Sequence, residues 1–169
     1  MDGNQVYRCS ISLVPLTSHP EVIMDFLTPF KKERQEIGDL IKNYNRRVNL
    51  HPNQFTLFTS TREEVTTNAV TSMEYHYKML EAMNALDTGL INIHIGGAYG
   101  DKNSSLNRFH QNLKKLPKEI KKHMTLENDD KTYDVRETLI TCEKENIPLV
   151  LDYHHYLANS GEIDLPLYL

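Results

Sequence analysis

This sequence has few cysteines, no long apolar run and no excess of positive charge. Its two cysteines, Cys9 and Cys142, do not have the spacing of a metal-binding motif, so we expect reduced side chains in the core. No apolar run approaches the ~20 residues of a membrane span, and the first residues lack the charged-then-apolar pattern of a secretory signal. These absences predict a cytoplasmic protein with no membrane partner.

The charge balance argues against broad electrostatic binding of nucleic acid. The chain carries 19 lysines and arginines against 23 aspartates and glutamates, a net charge of −4. It therefore lacks the positive field of a typical nucleic-acid binder. The lysines between positions 114 and 122 are interpreted as a solvated face. A nucleic-acid site in this chain would take its positive charge from bound metal.

The order of the predicted elements indicates an α/β domain. Apolar, β-branched runs alternate with stretches in which apolar residues recur every three or four positions, as strands and helices do. Such alternation is typical of a parallel sheet with crossover helices. We predict a single domain over residues 1–169 with about five parallel strands, the first between Gln5 and Ser12.

Two segments have the form of helix N-terminal caps. Thr61-Arg-Glu-Glu64 matches a capping box and precedes the longest run of helical periodicity, residues 65–83. His76 falls within that run and is interpreted as a packed core histidine. Asp134-Val-Arg-Glu137 has a similar pattern ahead of a shorter helix.

Four strand-like runs each end on a side chain that can bind a metal. The carboxyl ends of parallel strands meet at one edge of a sheet, which is how a TIM (β/α) barrel builds its active site. We therefore expect these four side chains to converge: His51, His94, Glu127 and Asp152. Gly96 and Gly97 follow His94 and allow the backbone to approach a ligand closely.

Two imidazoles and two carboxylates suit manganese, zinc or iron better than calcium or a thiolate site. A carboxylate can also bridge two metals ~3.5–4 Å apart, an arrangement used for displacement at phosphorus. His155 follows Asp152 by three residues and is a further candidate ligand. For His154 two interpretations stay open: support of a ligand, or exposure to solvent.

These motifs resemble the UV damage endonucleases, a family related to the endonuclease IV group of apurinic-site nucleases. The resemblance runs in order over residues 6–161, and its glycine-rich and Glu-Asn-Asp blocks are specific to the family. The matching segments are Tyr7-Arg8, Leu13-Val-Pro, Thr17-Ser-His-Pro20, His51-Pro-Asn-Gln-Phe55, His94-Ile-Gly-Gly-Ala-Tyr-Gly100, Leu126-Glu-Asn-Asp129 and Leu151-Asp-Tyr-His-His155.

The resemblance implies a TIM barrel that nicks double-stranded DNA immediately 5′ to UV photoproducts and so initiates excision repair. It implies a cluster of up to three divalent metals, usually Mn²⁺. In a bacterium such an enzyme would work at the nucleoid.

The resemblance also implies a role for individual residues. His51, His94 and Glu127 would hold one metal, and these three with Asp152 would be the catalytic set. Glu127 would bridge to a second metal, also held by Asp152, and His155 would hold a third.

Gln54 and Phe55 match the pair that wedges into the duplex at the lesion. The family usually has Tyr at the position of Phe55, a change that keeps stacking but loses a hydroxyl contact. Ser12 stands where some members have His, so the roles of Ser12 and His19 stay open.

The chain departs from the family in length, because a complete barrel needs ~250 residues. The family's first strand lies before Val6 and its last strands lie beyond Leu169, which leaves about five of eight strands. A five-stranded sheet cannot close. We therefore expect a partial barrel, either a piece or a natural remnant, that self-associates through its exposed edges and nicks DNA poorly alone.

Two alternatives remain at this point. A xylose-isomerase-like sugar isomerase or epimerase also uses Glu, Asp and His at strand ends. The chain could instead be an inactive, truncated metal-binding fragment.

Overall fold

A computed structural model of the chain describes residues 6–9, 25 and 27–161. The predicted strand between Gln5 and Ser12 is described only as β1, and Ser12 and His19 lie outside the described residues. The elements are β1 (Val6–Cys9), α1 (Lys31–Asn43), β2 (Arg47–Leu50), α2 (Glu63–Ala82), β3 (Gly89–His94), α3 (Lys102–Leu113), α4 (Lys118–Lys121), β4 (Met124–Glu127), α5 (Val135–Glu145), β5 (Leu149–Val150) and α6 (Tyr153–Ala158).

The strands form one parallel sheet in which neighbours in sequence are neighbours in space, in the order β1-β2-β3-β4-β5. This order is that of a β/α barrel, since the strand order of a doubly wound sheet reverses at a switch point. The prediction of an α/β fold with five parallel strands joined by helices is confirmed for the described part of the chain.

The two faces of the sheet differ in chemistry because side chains alternate along each strand. Val48, Leu50, Ile91 and Ile93 are buried in the core with helical residues that include Met73 and Phe109. The alternate positions of β2, β3 and β4 are polar and lie on the face that carries the candidate ligands. They are Asn49, Asn92, Thr125 and Glu127.

The two predicted capping boxes have different outcomes. In α5 the Asp134 side chain accepts from the Glu137 backbone N–H, and the Glu137 side chain accepts from the Asp134 N–H, so that box is confirmed. The box at Thr61 is wrong, because α2 begins after Arg62 and has no side-chain cap. The hydroxyl of Ser60 instead accepts from the Arg62 N–H at 3.1 Å, just before the helix begins.

Glu145, the last residue of α5, forms hydrogen bonds with side chains on α3 and α4. Its carboxylate accepts from Nδ1 of His110 on α3 and from Nζ of Lys121 on α4, both at 2.6 Å. Burial by itself would raise the pKa of Glu145, but these two hydrogen bonds outweigh it and hold the pKa below its usual value.

Two further features concern the helices of the described ranges. None of these helices is long and apolar enough to cross a membrane. Helix α6 was not anticipated from sequence, since its six residues are too few to show a periodic pattern.

We expect Glu145→Gln to lower the free energy of unfolding by about 1 kcal/mol near neutral pH. Because the folded-state pKa of Glu145 lies below the unfolded value, its stabilisation is complete above an unfolded-state pKa of ~4.3. It disappears as the pH falls through the folded value. Urea denaturation of both proteins should therefore show a difference in the free energy of unfolding that becomes smaller as the pH falls. Glu143 is an exposed neighbour, so Glu143→Gln is the control. Its free energy of unfolding should equal that of the parent at each pH.

Candidate metal centre

The predicted ligand residues converge at the carboxyl edge of the sheet in two groups. His51, His94 and Glu127 form one group, and Glu127, Asp152 and His155 form the other. Within each group the potential ligand atoms all lie within 4.8 Å of one another. Glu127 belongs to both groups, so its carboxylate lies within reach of the other ligand atoms of each. His155 lies with Asp152 and Glu127, whereas the resemblance implies a separate metal for it.

Strand register explains the convergence. His94 and Glu127 end adjacent strands and are direct partners across β3 and β4. His51 follows β2 immediately, and the ring centroids of His51 and His94 are 5.3 Å apart. The rings of His94 and His155 are 5.4 Å apart, so the three imidazoles form a row.

Glu127 is held in place by a buried polar chain. The hydroxyl of Thr125 donates to Oδ1 of Asn92 at 2.8 Å, and Nδ2 of Asn92 donates to Oε2 of Glu127. The Glu127 side chain is 2% exposed, and Arg8, on the edge strand β1, approaches its Oε2 at 3.9 Å. Burial raises the pKa of Glu127, although the nearby charges of His94 and Arg8 act in the opposite direction.

Two of the histidines are oriented by backbone carbonyls. Nδ1 of His94 lies 3.3 Å from the Glu127 carbonyl oxygen, and Nδ1 of His155 lies 2.8 Å from that of Asn128. A carbonyl oxygen can only accept, so Nδ1 carries the proton in both rings. This tautomer leaves the lone pair of Nε2 available to a metal.

His51 presents its free nitrogen differently. Its Nδ1 is buried and has no hydrogen-bond partner among the described residues. Burial, followed by the charges of Arg8 and His94, lowers the pKa of His51 to about 4. The imidazole is therefore neutral near pH 7, the form in which histidine binds a metal.

Asp152 caps helix α6, and its own backbone is held by Asn128, in addition to its place in the ligand group. Its Oδ1 accepts from the backbone N–H groups of His154 and His155 at 2.8 and 3.0 Å, which caps α6. Burial would raise the pKa of Asp152, but the N–H donors of His155 and His154 and the charge of His155 prevail and lower it. The side-chain amide of Asn128 bonds both backbone groups of Asp152 and fixes the loop.

These residues fit a divalent metal. The donors combine imidazole nitrogen with carboxylate oxygen, a set suited to manganese, iron or zinc. The unpartnered Nδ1 of His51 and the oriented rings of His94 and His155 leave one lone pair each. A cation beside the buried Glu127 carboxylate would offset the desolvation that raises its pKa.

The loop after β2 projects Gln54 and Phe55 from the site. The Asn53 side chain accepts from the Phe55 N–H at 2.9 Å, a turn that exposes both residues. Gln54 lines the same pocket, of about 450 Å³, as His51, His94 and His155. Phe55 is 69% exposed.

Glycine is required where the chain leaves β3. Gly96 has φ +117°, and a Cβ there would lie 2.6 Å from Oγ1 of Thr59. The glycine-rich loop can therefore pack against the loop after β2. The prediction that these glycines let the backbone approach a ligand stays a prediction.

The other histidines of the described ranges lie outside the two groups. His76 is buried, and its Nδ1 contacts the Ser72 carbonyl at 2.6 Å, so the interpretation as a packed core histidine is confirmed. His154 is exposed, and its backbone N–H serves the cap of α6.

Sequence reasoning missed three residues that shape the site, namely Arg8, Asn92 and Asn128. Asn92 shares a strand face with His94, and Asn128 falls in the Glu-Asn-Asp block, so the sequence indicates that both lie near the site. It does not indicate which groups they bond.

Comparisons with known proteins cover most of the chain. A family model described as UV-endonuclease UvdE matches residues 3–165. The UV DNA damage endonucleases of Bacillus velezensis and Bacillus pumilus are 59% and 60% identical to it over 157 residues, covering 93% of this chain and 49% of each relative. The chain thus spans about half the length of the curated relatives it matches.

Two solved structures are similar in fold. The crystal structure of SacUVDE matches with a TM-score of 0.88 and 34% identity, covering 95% of this chain and 55% of that one. A D-psicose 3-epimerase from Clostridium cellulolyticum H10, solved with D-tagatose, matches with a TM-score of 0.64 at 14% identity, covering 95% and 57%. The second likeness shows the fold alone. The predicted partial-barrel architecture is confirmed by these matches.

We expect Glu127→Gln to weaken binding of Mn²⁺ strongly, because the change removes the charge from the residue that both groups share. Isothermal titration of the metal-free chain measures the affinity and the number of ions. Circular dichroism should show little change, since a glutamine side chain can still accept from Asn92. Glu143→Gln is the control for surface charge and should bind as the parent does. Unchanged Mn²⁺ affinity in Glu127→Gln would rule out the bridging role.

Proposed function

Because this chain belongs to the UV-endonuclease UvdE family, we propose that it carries the metal-binding part of an enzyme that hydrolyses a phosphodiester bond of DNA. The observation that supports this most directly is the pair of ligand groups joined at Glu127, at the carboxyl edge of the sheet. Two metals bridged by a carboxylate are suited to in-line displacement at phosphorus.

In this proposal His51, His94 and Glu127 would hold one metal, and Glu127, Asp152 and His155 would hold a second. When bound, the metals would neutralise the phosphate and lower the pKa of a water molecule toward about 7. The preferred ion is Mn²⁺, up to three in the complete protein, given the mixed nitrogen and oxygen donors.

The protein residues around the ligands position them. Asn92 holds Oε2 of Glu127, so the carboxylate cannot rotate away from the site. The carbonyls of Glu127 and Asn128 keep the protons of His94 and His155 on Nδ1. Arg8 stands beside Glu127 and is half exposed, a place from which its guanidinium can contact a phosphate oxygen.

Gln54 and Phe55 read the damage. Both side chains are exposed in the loop that follows His51, so a duplex presented to the ligand groups meets them. Inserting an aromatic wedge costs a few kcal/mol of unstacking, and the cost is smallest where a lesion has already disrupted the stack. The wedge therefore favours UV photoproducts, and the nick falls immediately 5′ to them.

The working place of such an enzyme is the cytoplasm, at the nucleoid in a bacterium. The sugar isomerase alternative is not proposed, because the epimerase likeness extends to the fold only and the family match is to UV endonucleases.

We also propose that the chain alone self-associates through the β1 edge. Val6 and Tyr7 on β1 and Leu40 on α1 are exposed apolar side chains on neighbouring elements. An exposed edge strand with apolar neighbours is a template for pairing with another chain. Sedimentation velocity over a range of concentrations measures this association.

The function is tested with an end-labelled duplex that carries one defined photoproduct, incubated with Mn²⁺. The chain is compared with a version extended at both ends by the flanking segments of a full-length relative. We expect the extended protein to nick immediately 5′ to the lesion, the chain alone to nick poorly, and Glu127→Gln of the extended protein to be inactive. Failure of the extended protein to nick damaged DNA would overturn the proposal.

Removing the wedge should change lesion preference more than metal binding. We expect Phe55→Ala to reduce the affinity ratio of damaged to undamaged duplex roughly tenfold, since aromatic stacking contributes ~1–3 kcal/mol per base. Phe55→Tyr keeps the ring and should retain the ratio. Fluorescence anisotropy with the two duplexes measures it, and titration with Mn²⁺ should give the same affinity for all three proteins. An unchanged ratio in Phe55→Ala would refute the wedge.

A further inference from the structure

The two ligand groups differ in how the backbone holds them. His94 and Glu127 are the last residues of β3 and β4 and are partners across the sheet. Asp152 and His155 lie beyond the paired part of β4 and β5, because that register ends at Glu127 and Val150. The sheet therefore positions the first group, whereas the second group depends on contacts outside the strand ladder.

Asn128 supplies these contacts from the position directly after β4. Its Oδ1 accepts from the Asp152 backbone N–H at 2.8 Å, and its Nδ2 donates to the Asp152 carbonyl oxygen at 3.0 Å. A paired strand offers a donor and an acceptor in the same way. The Asn128 side chain thus takes the place of a strand partner where the ladder has ended.

The backbone of Asn128 holds the other ligand of the second group. Its carbonyl oxygen accepts from Nδ1 of His155 at 2.8 Å. Asp152 and His155 are also joined to each other, because Oδ1 of Asp152 accepts from the His155 N–H at 3.0 Å. Asn128 therefore fixes both of the ligands that the second group does not share with the first.

The first group does not use the Asn128 amide. Glu127 is held by Nδ2 of Asn92, and Nδ1 of His94 is held by the Glu127 carbonyl. The Asn128 side chain is 0% exposed, so water does not reach it to replace a lost bond. Removing the amide should therefore disturb one ligand group and spare the other.

We propose that Asn128 is a positioning residue that creates the second cation site without contributing a ligand atom to it. This inference rests on the proposed function, in which Glu127, Asp152 and His155 hold the second ion. The first site would bind Mn²⁺ without the Asn128 amide, whereas the second would bind it only while the amide holds Asp152 in place. The two ions should therefore differ in affinity, with the second bound more weakly.

The first test counts the Mn²⁺ ions bound by the metal-free chain in isothermal titration. We expect two ions in the parent and one in Asn128→Leu, whose side chain has a similar volume but makes neither hydrogen bond. Losing a residue that orients metal ligands typically lowers affinity roughly 10–100-fold, which is the loss expected for the second ion. Asn107 is exposed on α3, so Asn107→Leu is the control and should bind as the parent does. Two ions bound with parental affinity in Asn128→Leu would overturn the inference.

Electron paramagnetic resonance distinguishes the loss of one site from general damage to the protein. Two Mn²⁺ ions that share a carboxylate are magnetically coupled and give a broadened signal, whereas one isolated ion gives a resolved hyperfine pattern. We expect the coupled signal in the parent and the isolated-ion signal in Asn128→Leu. His155→Gln removes a ligand of the second group and should give the isolated-ion signal too. Loss of both ions from a folded Asn128→Leu would refute the selective role.

Asn128→Asp keeps the shape of the side chain and provides the test if the leucine variant does not fold. Its carboxylate can accept from the Asp152 N–H but has no proton to donate to the Asp152 carbonyl. The added negative charge would strengthen cation binding if charge alone mattered. The positioning role predicts the opposite, a second ion bound roughly tenfold or more weakly. Equal or tighter binding of the second ion in Asn128→Asp would contradict the inference.

The outcomes separate this inference from the proposed function. Retention of two coupled ions in the Asn128 variants would overturn the inference alone, since nicking by the extended protein tests the function independently. A parent chain that binds no Mn²⁺ would overturn both.

Discussion

The hydrogen bond from Asn92 to Glu127 is the contact on which the candidate site depends. It joins two buried side chains on adjacent strands, and Thr125 completes the chain behind Asn92. A buried carboxylate without such a donor would be costly and free to rotate. Because Glu127 belongs to both ligand groups, its orientation decides whether His51 and His94 on one side and Asp152 and His155 on the other can share a cation site.

Much of this arrangement could be predicted from sequence, for a physical reason. The carboxyl ends of parallel strands lie at one edge, so recognising the strands that precede His51, His94 and Glu127 is enough to bring these side chains together. Local rules also succeeded where both partners of an interaction are close in sequence, as in the Asp134 and Glu137 capping box.

What could not be predicted depends on partners distant in sequence or on competition between local choices. The Thr61 capping box failed because the Ser60 hydroxyl serves the Arg62 N–H instead. Asn92 and Glu127 are 35 positions apart, so their pairing needs the register of β3 and β4. The left-handed backbone of Tyr99, with φ +48°, could not be predicted either, although the residue belongs to the glycine-rich block, since only the folded loop shows it.

The consecutive order of the strands has a consequence for synthesis on the ribosome. Each strand of the described sheet pairs with the one made just before it, so each βα unit can dock soon after it emerges. The first ligand group is complete once Glu127 has been made, whereas the second awaits Asp152 and His155. If the two groups hold metal as proposed, the ligands of the first are therefore synthesised before those of the second.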